Sequence, residues 1–191
     1  MRNENQQYIH YQKGGLVMYL LRDQIGEEAV NRALRRVLAQ YAFKGAPYPR
    51  SLELIAAIRA EAPADKQALI TDLFEKITLY DVKTTATAVR QRADGKWETT
   101  ITVNARKLYA DGKGVETEAP LNETFDIGAF SAEPGKGAFD RTNVLAFERR
   151  PLRSGTQTFR LVTAARPVWA GVDPYNKWID RNSDDNLKKV D

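Results

Sequence analysis

A chain of 191 residues can bury a core as one domain or two small ones, and with no cysteine it does so without disulfides, thiolate nucleophiles or Cys-based zinc and iron–sulfur sites. Its 29 Lys and Arg against 25 Asp and Glu give a net charge of +4. The excess is even, 11 against 9 in residues 1–80 and 18 against 16 in residues 81–191, with no basic block interleaved with aromatics, so no nucleic-acid partner is expected.

In chain order, Met1–Gln7 is polar and lacks the apolar centre of a signal peptide, and no run reaches the ~18–20 apolar residues of a membrane span. "GGLVMYLL" is cut short by Arg22 and Asp23 and reads as a buried helix of a soluble segment. After Gly26, the series Ala29, Val30, Ala33, Leu34, Val37, Leu38, Tyr41 follows three- and four-residue steps, with Glu28, Arg32, Arg35 and Arg36 opposite, which predicts an amphipathic helix. "GAPYPRS" breaks the pattern, and Ser51 is placed to cap a helix carrying Leu52, Ile55 and Ile58. Pro63 restarts the chain at a first-turn position, ahead of a face made by Leu69, Ile70, Leu73, Phe74 and Ile77. Four helices are expected in this half.

The period changes after Tyr80 and Asp81. "VKTTATAVRQ" is β-branched, "ADGK" is a turn, and "WETTITVNARKLY" alternates Trp97, Thr99, Ile101, Val103, Ala105 against Glu98, Thr100, Thr102, Asn104, Arg106. A second turn, "ADGKG", leads into "VETEAPLNETFDIGAF", and further strands are expected at "NVLAFERR" and "TQTFRLVTAA" with a Gly-rich loop at 131–140 between them. Strands gathered after helices predict an α+β chain: a helical segment over 1–80, then an antiparallel β-sandwich over 81–191.

The candidate chemistry is sparse. The lone His10 has no second histidine to share a metal, and there is no HExxH. "DRNSDDN" places Asp180, Asn182, Asp184 and Asn186 at alternate positions, the oxygen-rich spacing that opens a calcium loop. Asp185 stands where that loop wants glycine and Asp191 where it wants a bidentate glutamate, so a solvated tail or a capping turn is the competing reading. "ERRPLRSG" could grip an anion through Arg149, Arg150 or Arg153, against a plain surface turn around Pro151. Tyr11 is either a packing aromatic or a phenol that donates to a carbonyl oxygen acquiring charge.

"YQKGGLVMYLLRDQIGEEAVNRALRRVLAQYAF" resembles the Tyr-x-Lys-Gly helix of the aminopeptidase N family of zinc metallopeptidases, the gluzincins. "APYPRSLELIAAIRAEAP", "LITDLFEKITLYDVK", "YADGKG", "ERRPLRSG" and "AGVDPYNKWIDRNSDDN" resemble the C-terminal part of a bacterial subgroup fused behind ABC-transporter permease segments. The resemblance implies that residues 1–80 are the end of a thermolysin-like catalytic domain and 81–191 the β-sandwich that braces it. It further implies that Tyr11 is the oxyanion donor of the intact protein. The family's zinc ligands, its water-activating glutamate and its amine anchor match no position here, so this chain holds no cofactor of its own and is inactive alone; zinc would be bound by the parent. Its partners would be the upstream catalytic domain and, in the parent, a peptide substrate; its location would be a soluble domain of a bacterial integral membrane protein. The alternative is a non-catalytic scaffold or protein-interaction module in which Tyr11 has no chemical role.

Overall fold

A computed structural model describes residues 7–190, with the side chains of residues 8–10, His10 among them, outside the description. The chain divides into two compact units, residues 1–78 and 79–191. It is an α+β protein whose helices precede its antiparallel sheets.

In the first unit a π-helical stretch, Tyr8–Lys13, runs directly into α1, Gly14–Ile25. That continuity explains why no start signal stands before the apolar run: Lys13, at the cap position, already has helical angles (φ −63°, ψ −42°). Gly26, at φ +90°, separates α1 from α2, Glu27–Tyr41, in a conformation that favours glycine. α3, Ser51–Glu61, begins one residue earlier than the sequence suggests. Arg50 occupies the cap position, and Ser51 is the first helical residue and makes no cap. The capping work is done by Glu53, whose carboxylate accepts from the Arg50 backbone N–H (2.7 Å) and from its guanidinium (2.8 Å).

Pro63 precedes a short 3-10 turn, Ala64–Lys66, ahead of α4, Gln67–Phe74. Ile77 therefore leaves the predicted helical face and opens the first strand, where it is exposed. Val17, Leu20, Leu21, Ala29, Val30, Ala33, Ile55, Ile58, Ile70 and Leu73 form the buried apolar face of these helices. Glu61 accepts from Arg32 (2.8 Å) and Arg36 (2.7 Å), tying the end of α3 to α2, and the Arg32 hydrogen bond holds its carboxyl below the usual range. Arg59 ties α3 to α4 through Gln67, Thr71 and Glu75.

The second unit holds two four-stranded sheets. In one, β2 (Trp97–Ala110) lies beside β1 (Ile77–Gln91), and its other edge is shared by β6 (Gly155–Thr163) and β3 (Glu116–Ala119). The other has the order β5 (Val144–Arg153), β4 (Asn122–Phe130), β7 (Trp169–Val172), β8 (Leu187–Lys189). The predicted strand "VETEAPLNETFDIGAF" is thus two strands in different sheets, broken at Pro120, which has no N–H to give a ladder. The chain also changes sheets at Ser154, followed by Gly155 at φ +97°. The two crossings meet where the Leu121 N–H donates to Ser154 Oγ (3.4 Å). Thr99, Ile101, Val103 and Ala105 of β2 point inward, as the alternation predicts.

The sheets share an aromatic core. Tyr80 of β1 meets the Phe125 ring of β4 (6.3 Å) and the Trp178 ring (4.9 Å) edge-on, and Phe125 and Trp178 stack at 4.2 Å. Gly171 allows the close approach of β7 to the chain around it: a Cβ there would lie 2.1 Å from the Asn186 carbonyl oxygen and 2.8 Å from Thr84 Oγ1. No described helix is long and apolar enough to cross a membrane.

Candidate functional site

One concavity of the helical unit lies where the π-helical stretch joins α1. Glycines at 14 and 15 lower helix propensity by ~1 kcal/mol each relative to alanine, which favours departure from regular α winding next to them. Tyr11 projects from this stretch with 73% of its surface exposed, and Lys13, two residues on, is half-buried. With α3 and α4 they border a cleft of about 630 Å³. Its floor is apolar: Val17 and Met18 from α1, Leu54 from α3, Leu73 and Phe74 from α4. Among the described residues its polar side chains are the Tyr11 phenol and the ammonium groups of Lys13 and Lys76. Such a site can seat an apolar group and offer hydrogen-bond donors.

The remaining candidates lie in the second unit. Asp180 and Asn186 come together: the amide orientation that satisfies both neighbours directs the Asn186 nitrogen to Asp180 Oδ2 (2.9 Å) and the Val82 carbonyl (2.5 Å). Asp180 Oδ1 accepts from the Val82 N–H (3.3 Å). Asn182 Oδ1 accepts from the Asp184 N–H (3.4 Å) and caps a 3-10 turn, while Asp184 itself is exposed. The four residues do not converge on one point, and Asp191 lies outside the described residues. Among the described residues no three His, Cys, Asp or Glu side chains are grouped to hold a metal ion.

The solvated-tail reading of this segment is corrected. Asn186 is 1% exposed, Val190 4%, and residues 187–189 form β8, because β7 offers them a ladder and Thr84 Oγ1 donates to the Asn186 carbonyl (2.6 Å). "ERRPLRSG" is likewise no turn up to Arg153. It belongs to β5, an edge strand, where Pro151 is tolerated; Arg149 donates to Asp126 (3.2 Å) and Arg150 pairs with Glu148.

No protein-family model matches the chain, and no curated protein matches it.

Sequence reasoning did not single out a buried group of carboxylates. Asp126, 4% exposed, accepts from Arg149 and from Lys177 Nζ (2.7 Å). Asp173, 1% exposed, accepts from the backbone N–H groups of Lys177 (3.0 Å) and Trp178 (2.9 Å), fastening the loop that delivers Trp178 to the core. Burial pushes the Asp173 carboxyl up to about 7 against the pull of those N–H donors, and the charges of Asp126 and Asp180 push the same way. Burial raises Asp180 to about 6. With every oxygen described here engaged within the fold, this group is a structural staple. Asp173 at φ +43° is the one local clue, since aspartate and asparagine tolerate the left-handed region where a tight turn needs it. Lys76 and the part of the floor made by Leu54, Leu73 and Phe74 left no local signal of a cleft, because α3 and α4 bring them to Tyr11 from 43 or more positions away in the chain.

Proposed function

We propose that this chain is the C-terminal portion of a gluzincin-type zinc aminopeptidase, to which it contributes a transition-state hydrogen-bond donor, Tyr11, and a supporting β-sandwich. The observation that carries the reading is the placement of Tyr11: a phenol in the Tyr-x-Lys-Gly context, largely exposed, at the border of an apolar-floored cleft. A tyrosine kept for packing would bury its ring; the exposure of this one at the border of the cleft supports the reading. When a carbonyl is attacked, charge grows on its oxygen, and a donor already in position stabilises that charge without reorganising.

On this reading the zinc, its ligands, the water-activating glutamate and the amine anchor belong to polypeptide outside these 191 residues, joined there to permease-type membrane segments. Zinc would polarise the carbonyl and activate water. The described residues do not supply its ligand set, and this chain's share of the chemistry is one donated hydrogen bond. The test is Tyr11→Phe in the complete polypeptide, assayed on an aminoacyl anilide. Removal of one such donor lowers kcat by about 10²–10³; unchanged turnover would overturn the reading.

A second reading, a non-catalytic interaction module, is favoured by the exposure of Leu38, Phe43, Tyr48 and Leu52 around the α2–α3 connection. It predicts that Tyr11→Phe is silent while Phe43→Ser weakens association with the rest of the polypeptide.

A further inference from the structure

The connection between α2 and α3 is exposed without interruption from Phe43 to Leu52. Glu61, at the end of α3, bonds Arg32 and Arg36 of α2, so the two helices run antiparallel. Leu52, at the start of α3, therefore lies toward the end of α2 that carries Leu38, and four exposed apolar side chains, Leu38, Phe43, Tyr48 and Leu52, gather at one end of the helix pair. Phe43 holds its ring wholly in solvent on a backbone at φ +59°, a conformation that disfavours any residue with a Cβ, and packing of the ring does not offset it. Pro47 and Pro49 each fix a φ angle on either side of Tyr48, so little chain freedom is lost when that ring is held against a surface.

Charge decides what such a surface meets. Between Glu28 and Glu53 the sequence holds five basic residues, Arg32, Arg35, Arg36, Lys44 and Arg50, and no acid. They are spaced along the chain, and the helix pair gathers them beside the apolar end. Glu28, Glu53 and Glu61 pair with four of them, which leaves five positive charges against three negative. Aromatic and leucine side chains rimmed by cations complement a bilayer surface with anionic headgroups: the rings settle at headgroup level, and each Lys or Arg near the surface strengthens binding about five-fold. We infer that this end of the helical unit docks on anionic lipid surfaces, with Phe43 and Tyr48 among the headgroups and Arg35, Lys44 and Arg50 facing lipid phosphates. The inference stands apart from the peptidase reading, because neither Tyr11 nor the cleft takes part in it.

The chain's lack of cysteine makes the test direct. A Cβ at Gly45, in the connection, or at Gly112, in the turn between β2 and β3, would meet nothing within 4 Å, and neither residue has a positive φ. Gly45→Cys and Gly112→Cys each take one polarity-sensitive fluorophore, and the labelled 191-residue chains are titrated with vesicles of equal parts phosphatidylcholine and phosphatidylglycerol, or of phosphatidylcholine alone. Emission from position 45 is expected to shift to the blue on the mixed vesicles, with position 112 unchanged and with affinity at least about five-fold weaker for phosphatidylcholine alone. In co-sedimentation of the unlabelled chain with the mixed vesicles, Lys44→Glu is expected to weaken binding about five-fold or more, and Phe43→Asn about ten-fold. No binding to the mixed vesicles, equal shifts at both positions, equal affinity for both vesicles, or binding untouched by both substitutions would overturn the inference. A protein as the natural occupant of this surface gives the first of these results.

Discussion

The two units bury different things. Every fully buried large aromatic among the described residues, Tyr80, Phe125 and Phe130, belongs to the second unit, and the largest fully buried side chains of the first are Leu20, Leu21, Ile58 and Ile70. Exposure runs the other way: of twelve large apolar side chains left exposed, eight lie in the first 78 residues, Tyr11, Tyr19, Leu38, Phe43, Tyr48 and Leu52 among them. The sandwich closes its own core and staples it with buried carboxylates. The helical unit keeps apolar surface available, and its polar contacts are exposed or half-buried arginine pairs worth little each. One unit closes over its large apolar side chains and the other leaves many of them exposed.

The sharpest way to break that contrast is to hollow out the sandwich. Phe125→Ala removes the ring that touches both Tyr80 and Trp178 and is expected to cost about 3–5 kcal/mol. Tryptophan fluorescence reads it selectively, because Trp97, Trp169 and Trp178 all lie in the second unit. A loss below ~1 kcal/mol would mean that the aromatic cluster is not the core. Ile58→Ala, in the helical unit, is expected to cost about 2–5 kcal/mol by loss of the far-UV helical signal, toward the lower end where the less closed packing can relax.

Next in size is a pH effect confined to the sandwich. A carboxyl whose folded value lies above its unfolded one holds its proton more tightly when folded. Its stabilisation is complete below the ordinary carboxylate value and is lost as pH rises through the folded value. With Asp173 at about 7 and Asp180 at about 6, the Tm of the second unit should rise as pH falls from 8 to 5. Glu98 and Asp140, held below the usual range by Arg90 and by Thr142, lose their contribution only at lower pH, outside that window. Asp173→Asn, tolerated at φ +43°, should flatten the slope; a Tm that climbs between pH 5 and 8 would contradict the burial of these groups.

The smallest expected change is at Phe43, fully exposed at φ +59°. Phe43→Asn should leave stability within about 0.5 kcal/mol or raise it slightly, since no packing is lost and asparagine accepts that backbone better. Destabilisation beyond ~1 kcal/mol in chemical denaturation would show that Phe43 is packed, removing the contrast at its most exposed point.

Where a residue's role is set by near neighbours, the sequence was readable. The three-four spacing from Ala29 to Tyr41 and the alternation from Trp97 to Ala105 mark faces that are buried as expected along Ala29, Val30 and Ala33 and along β2. Leu38 departs from its stripe because the far half of α2 finds no cover among the described residues. What was hidden depends on distant partners. β7 and β8 are only four and three residues long, and the order of the C-terminal segment rests on Thr84 and Val82, about a hundred positions earlier. Tyr11 was legible as a candidate from its motif, whereas the cleft beside it exists only through the packing of α1, α3 and α4.

The central claim is that Tyr11 recognises charge that develops during reaction and not the resting substrate. The measurement that meets it most directly compares, in the complete polypeptide and its Tyr11→Phe variant, the affinity for a tetrahedral phosphinic dipeptide with the KM for the matching peptide. The account predicts that the variant weakens the tetrahedral compound by about the factor it takes from kcat, with KM nearly unchanged. Equal weakening of both ligands, or of neither, would contradict it.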